Sequence, residues 1–469
     1  MKHWLLSLVP LALLATWPQH PQDAGPRLRL RLTGNLGGKL EPCGCASGQL
    51  GGLARRAFTL KSDLRYDLLL EGGNLAGGTT PLDALKVFTA LEAIGAVEPR
   101  YHAIGIGPRD LEQDLARFAE DLQISATPLL AADLQAKPGF SWGVQPFVDQ
   151  VVRAGQKDAV RARIVSFALT LPESAQAKLT LLAPDAAWTR ALAGCGADAF
   201  RILLAHGEPK ALRELCKLAP RPDLVIGITD AVHEPPTAAE ECDGVRIVYP
   251  GVWGRFLLDV TLARTAGTTT VTEYRRIELE GSKSAPGAAE DAGIKQLLLR
   301  HREEVKAEGL LGKMAEQRPT RNGATFVGSK ACAECHEEAY AAWKQSKHAI
   351  AWRTLEDAES GKLKHKGTDQ PRYGWPVTHY PDCVNCHVVG YGLQSGFSGL
   401  PKTAHLTAVG CESCHGPASY HVERERGDKD WGSKGDLGKC DTALCLHCHD
   451  TEQSPGFDYE KRWKAIEHK

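Results

Sequence analysis

Four copies of one pentapeptide, Cys-x-x-Cys-His, constrain this chain more than anything else in it: Cys332, Cys335 and His336; Cys383, Cys386 and His387; Cys411, Cys414 and His415; Cys445, Cys448 and His449. Random placement at this composition gives roughly 0.02 such pentapeptides in the whole chain. Two thiols three apart suit a zinc clamp, a redox disulfide or a haem, and the histidine that follows at once decides among them. The thiols add to the two vinyl groups of a haem, and the imidazole becomes the proximal iron ligand. Two zinc ribbons would use the eight cysteines and leave all four histidines unexplained. The motifs therefore predict four covalent haems c, with His336, His387, His415 and His449 on the irons.

A six-coordinate haem needs a distal ligand as well. Beyond residue 326, seven more histidines are candidates: His348, His365, His379, His405, His421, His447 and His468. Spacing alone does not choose among them. The only methionines are Met1 and Met314, so the His/Met ligation that raises haem potential is not on offer and low potentials are expected.

At 469 residues, 43% of them hydrophobic, the chain has material for two or three domains with sizeable cores. A net charge of −1 supports neither a nucleic-acid footprint nor electrostatic membrane binding. Lys2 and His3 precede an apolar run from Trp4 to Trp17, too short to span a bilayer but suited to a secretory signal over residues 1–25. Export to the periplasm or another extracytoplasmic site follows, with a membrane attachment only if that segment stays uncleaved. Cysteines outside the motifs suit an oxidising compartment. A disulfide from Cys43 or Cys45 to Cys195, Cys216 or Cys242 is the expected structural use, and Cys440 either pairs or stays free.

From residue 27 to 280 short apolar runs such as "YDLLLEGG", "FRILLAHGE" and "DLVIGIT" alternate with helical patterns, which predicts buried parallel or mixed strands covered by helices. Later runs, "RARIVSFALTL", "VRIVYPG", "GRFLLDVTLAR" and "TTVTEYRRIELE", alternate more strictly and predict an antiparallel sheet. A linker follows over 281–325. In it Ile294, Leu297, Leu298, His301 and Val305 share a helix face, with His301 a packed residue rather than an iron ligand. The segment 326–469 is poor in large hydrophobes between its motifs, as suits a helical, loop-rich domain whose core is its cofactor.

"VGSKACAECHEEAYAAWKQSKHAIAW", "DCVNCHVVGYG", "AVGCESCHGPASYH" and "CLHCHDTEQSPGFDYEKRWKAIEH" resemble the tetrahaem cytochrome c family of the cytochrome c-554 type, electron acceptors for hydroxylamine oxidation. The resemblance implies that His348 crosses to the fourth haem, that His421 caps the first and that His468 caps the third. In that family the second haem can stay five-coordinate, but here His379 and His405 stand ready to close it. The N-terminal blocks "LTGNLGGKLEPCGC", "LLLEGGNLAGGT", "AIGIGPRDL", "ILLAHGE" and "DLVIGITDAVHEP" resemble the metallophosphoesterase domain of the 5'-nucleotidase group, an α/β sandwich. Where that family places the carboxylates and imidazoles of a two-metal centre, this chain has Asn35, Gly37, Asn74, Pro108, Arg109, Thr229 and Ala231, and only His206 survives. The resemblances together imply an electron carrier with no catalytic residue, its first domain a scaffold or docking module for a redox partner protein. The alternatives are an oxidoreductase acting on a small nitrogen compound at an open haem, and a residual phosphoesterase. Nothing in the sequence states the oligomeric state.

Overall fold

The computed structural model describes residues 25–42, 48–281, 289–364, 369, 371, 375–450 and 453–467. The apolar run at the N-terminus, Cys43, Cys45, His365 and His468 lie outside them. Among the described residues no helix is long and apolar enough to cross a membrane.

In chain order the strands are β1 (Arg27–Thr33), β2 (Leu68–Glu71), β3 (Ala103–Gly105), β4 (Leu129–Leu130), β5 (Leu134–Ala136), β6 (Phe147–Val152), β7 (Val160–Phe167), β8 (Leu179–Leu181), β9 (Phe200–His206), β10 (Leu224–Ile228), β11 (Glu240–Cys242), β12 (Val245–Val248), β13 (Phe256–Thr265) and β14 (Thr268–Glu278). Two six-stranded sheets result, ordered β14-β13-β1-β2-β3-β4 and β11-β12-β10-β9-β7-β6. Strand alternation explains their stacking. Leu28, Leu30, Leu32, Leu68, Leu70 and Val260 of the first sheet share one buried cluster with Ile164, Ile202, Leu204, Leu224 and Ile226 of the second. The residues between them point outward: Leu69, Ile104 and Leu257 pack under the helices Leu53–Ser62 and Pro81–Gly95. On the far side Val165, Leu203, Ala205 and Val225 pack under Trp188 and Leu212. Helices thus cover both outer faces of a two-sheet sandwich. Each fully buried leucine contributes about 1.5–3 kcal/mol through burial.

The strands of the second half do not form a separate antiparallel sheet. β7 pairs parallel with β9, and β12 parallel with β10; only the edge partners β6 and β11 run antiparallel to them. Burial is the reason: β7 is buried on both faces, between the other sheet and a helix layer, the setting of parallel strands. The expected antiparallel pairing does hold for β13 and β14. There β14 is an edge strand, half exposed along its length.

Buried charge is paired. Arg56 and Glu71, 2% and 0% exposed, meet at 2.7 Å, and Thr33 Oγ1 donates to the same carboxylate oxygen at 2.5 Å. Removing one partner of such a pair leaves the other as an uncompensated charge.

The linker helix Ala292–Ala307 begins at Asp291, whose side chain accepts from the amide of Ile294 at 3.0 Å. Ile294, Leu297 and Leu298 join the outer cluster of the first sheet. Further along, Val305 and Leu310 meet Leu82 and Leu85 of the Pro81–Gly95 helix, with Tyr380 packed against them. The helix therefore lies on the first domain and reaches the second.

Beyond residue 326 the chain changes character. Its helices are short, and Glu337–Lys344, Ser419–Glu425, Thr442–Leu446 and Tyr459–Trp463 bury no residue of their own. One modest cluster, centred on Phe326, Trp352, Leu355, Val384 and Phe397, is the polypeptide core of this part.

Candidate haem-binding site

Each pentapeptide is a helical turn. The amide of His336 donates to Cys332 O at 2.9 Å, that of His387 to Val384 O at 2.8 Å and that of His449 to Cys445 O at 2.9 Å, while Cys411–His415 is a helix throughout. Residues at i, i+3 and i+4 of a helix share a face, so both thiols and the imidazole of each motif stand on one side. A planar ring with two vinyl groups and one axial site requires that placement.

The turns are held by their own sequence. Pro381 opens the second, and Asp441 caps the fourth by accepting from the amide of Leu444 at 3.0 Å. In the third, Glu412 is buried and accepts from the amides of Gly328 (2.7 Å), Val327 (3.0 Å) and Ala418 (2.9 Å). Burial pushes its carboxyl above the usual range, and those three amides oppose the shift. Gly328 and Ser329 begin the first turn, and Ser329 Oγ accepts from the amide of Cys411 at 3.1 Å. The first and third motifs are therefore tied together, with Cys332 beside Cys411. Cys386 and Cys448 likewise bring the second motif beside the fourth.

Imidazole placement fits an iron between two rings at two of the motifs. The rings of His336 and His421 stand 6.4 Å apart at 23°, and those of His449 and His348 stand 6.2 Å apart at 45°. Two axial metal–nitrogen bonds of about 2.0–2.1 Å, with the half-width of each ring, place the two ring centres roughly 6.4 Å apart across one metal. The Nδ1 of His421 is buried with no hydrogen-bond partner among the described residues. Hydrogen bonds at Nδ1 orient three of the motif histidines: His387 Nδ1 donates to Ala351 O at 2.6 Å, His415 Nδ1 to Gly438 O at 3.2 Å, and His449 Nδ1 lies 2.8 Å from Ser454 Oγ. An Nδ1 engaged in this way leaves Nε2 for the metal. Burial lowers the pKa of His348, His387 and His449, which keeps the rings neutral and their lone pairs available.

The remaining candidates lie elsewhere. His379 holds Thr378 Oγ1 at 3.0 Å with its Nδ1, and neither its ring nor that of His405 packs against His387. His405 is exposed and abuts Gly328 beside the first motif. His447 is exposed. His301 is buried between the domains, packed as expected. The cysteines Cys195, Cys216, Cys242 and Cys440 are free; Cys216 adjoins Cys242, and Cys440 adjoins Cys414 and Cys445. Sequence reasoning missed Glu412 and Tyr380. A carboxylate enclosed between two motif cysteines, and a tyrosine directly before the proline that opens a motif helix, were the available signals.

In the first domain the side chains at the strand ends bond to one another. Arg109 pairs with Asp230, Asn35 Nδ2 donates to Thr229 O at 3.0 Å and to Asp230 Oδ1 at 3.2 Å, and Asn74 Oδ1 accepts from the amide of Arg109 at 3.3 Å. His206, fully buried, donates from Nδ1 to Phe167 O at 3.0 Å. Burial pushes its pKa down to about 4. Asn35, Asn74 and Trp253 adopt positive φ at 53°, 52° and 62°, and Trp253 donates its amide to Asn35 O at 2.7 Å. Two neutral amides and an arginine line these strand ends, and such groups are poor ligands for a pair of divalent metals. Among the described residues no group of three His, Cys, Asp or Glu side chains converges on one point.

Residues 331–416 match the family described as "Cytochrome c554 and c-prime", which implies covalently bound haem c. Cytochrome c-554 of Nitrosomonas europaea is 39% identical over 94 residues, covering 20% of this chain and 39% of that protein. The NAD nucleotidase of Haemophilus influenzae aligns with a TM-score of 0.50 at 13% identity, covering 65% of this chain and 64% of that one. The chain thus spans about two fifths of its curated relative and somewhat under two thirds of that structure. The first domain is a metallophosphoesterase-like α/β sandwich by fold, and the segment after it carries a cytochrome c554 domain.

Proposed function

We propose that this protein is an extracytoplasmic electron carrier. In this reading four haems c sit on the four Cys-x-x-Cys-His turns, and the phosphoesterase-like domain serves as a scaffold or docking module for a redox partner protein. Bound haem supplies a one-electron iron couple. The chain's own residues do the rest: paired thiols fix each ring covalently, a motif histidine held by its Nδ1 contact presents Nε2, and His421 and His348 stand opposite two of those histidines. The observation that carries the reading is the pair of imidazole–imidazole separations, 6.4 and 6.2 Å, found at two of the motif histidines. Export is supported by the N-terminal apolar run and by the haem attachment itself. The test is a haem count on protein matured in a host competent for cytochrome c assembly. Four covalent haems per chain support the reading, and a lower count at intact motifs removes it.

A second reading, an oxidoreductase acting on a small nitrogen compound, is favoured by one observation. Among the described residues no imidazole faces His387, nor His415, as His421 faces His336, and in this reading the second iron keeps an open site. A high-spin ferric signal in EPR that vanishes on adding nitric oxide supports an open haem, and four low-spin signals exclude it. Hydrolase chemistry has no comparable support, since the strand-end residues Asn35, Asn74 and Arg109 offer no bridging carboxylate. Two bound manganese or zinc ions per chain, with turnover of a nucleotide, would reverse that judgement.

A further inference from the structure

The domain boundary carries a hydrogen-bond chain whose direction is fixed at every link. Thr89, on the Pro81–Gly95 helix, donates its hydroxyl proton to Leu85 O at 2.9 Å. That proton being spent, Thr89 Oγ1 accepts from His301, whose Nδ1 lies 2.8 Å away, so the imidazole carries its proton on Nδ1. His301 Nε2 is then an acceptor, and Tyr380 Oη, 3.0 Å away, donates to it. The chain is electrically neutral. Burial, assisted by Lys86, pushes the His301 pKa down to about 4, and burial raises that of Tyr380 well above its ordinary value.

Tyr380 is also the residue on which the second attachment turn is built. Its carbonyl accepts from the amides of Cys383 and Val384, both at 3.0 Å, and it precedes Pro381 at the start of the Pro381–Asn385 helix. Its ring is enclosed by His301 at 5.9 Å and Trp375 at 5.3 Å, and Trp375 carries the Arg302 guanidinium at 4.1 Å. A second tie crosses beside it: Lys86, on the same helix as Thr89, pairs with Asp382 at 2.5 Å. The other turns are held within their own segment, the first and third by Ser329 and Glu412, the fourth by Asp441.

We propose that the phosphoesterase-like domain positions the second haem through this chain, with His301 and Tyr380 as positioning residues that set the orientation of the Cys383–His387 turn. The proposal rests on the haem reading above and gives the first domain a defined task within it. Neither residue touches the iron; each acts through the turn that carries Cys383.

Full-length protein matured with haem provides the test, in four forms: wild type, Tyr380→Phe, His301→Leu and His301→Gln. Haem content is counted first, then a redox titration and EPR spectra are recorded. The expected result is an unchanged haem count in all variants. One reduction step of the set moves in Tyr380→Phe and His301→Leu, with a several-fold change in that haem's reduction equilibrium and an altered EPR signal, while the others stay in place. His301→Gln restores the wild-type step, because its amide nitrogen can donate to Thr89 and its oxygen accept from Tyr380. Should His301→Leu fail to fold, Tyr380→Phe, which removes one hydroxyl, still decides the matter. Steps that all stay put in that variant, or that all move together, overturn the proposal. A wild-type preparation lacking haem at the second motif overturns the haem reading itself, and the proposal with it.

Discussion

His421 and His348 lie 85 and 101 positions from His336 and His449 in sequence, yet the ring centres of each pair stand only 6.4 and 6.2 Å apart. Replacing His421 with alanine is expected to turn one low-spin haem into a high-spin one, read as a new ferric signal in EPR. The same change at exposed His447 is expected to leave the spectrum untouched. The motif residues were legible because their chemistry is local: a spacing of three and four places the groups on one helical face without reference to the rest of the fold. The facing histidines were legible only through the family resemblance. Nothing in the spacing of His421 or His348 sets them apart from His405 or His447, and only tertiary structure brings a ring across.

Among the elements, the linker helix Ala292–Ala307 was legible in detail, since Ile294, Leu297, Leu298, His301 and Val305 all lie on its buried side. A 3.6-residue period survives whatever the helix packs against. Strand partners did not survive in the same way. β7 and β12 read as antiparallel from their alternation and are parallel to their inner neighbours, because a period of two reports which face a side chain takes and says nothing about the strand beside it. Leu298, 1% exposed in the outer cluster, tests how firmly the helix holds the first domain. Leu298→Ala should cost about 2–5 kcal/mol, as for other buried leucines, measured by denaturant unfolding of the haem-loaded protein. A cost near zero would mean that the helix is only loosely docked.

For the whole molecule, two buried imidazoles predict an acid-sensitive sandwich. His206 and His301 are both pushed down to about 4 by burial. Below an unfolded-state pKa of about 6.5 the unfolded chain takes up protons that the folded chain refuses until about pH 4. Each group therefore contributes stability that is complete above about pH 6.5 and is lost as pH falls toward 4, by up to about 3 kcal/mol. Thermal unfolding recorded between those limits should show stability rising with pH, and His206→Gln should flatten part of the slope. An unchanged slope in that variant would assign the acid sensitivity to other groups. The two halves of the molecule are stabilised differently: the sandwich by three clusters of buried side chains, the last third by one small cluster around surfaces that its own helices leave uncovered.

That contrast makes cofactor loading the decisive quantity. A pyridine haemochrome assay combined with the intact mass of protein from a host able to assemble c-type cytochromes should return four covalent haems per polypeptide. A colourless preparation, or one whose mass equals that of the bare chain, would contradict the account at its root.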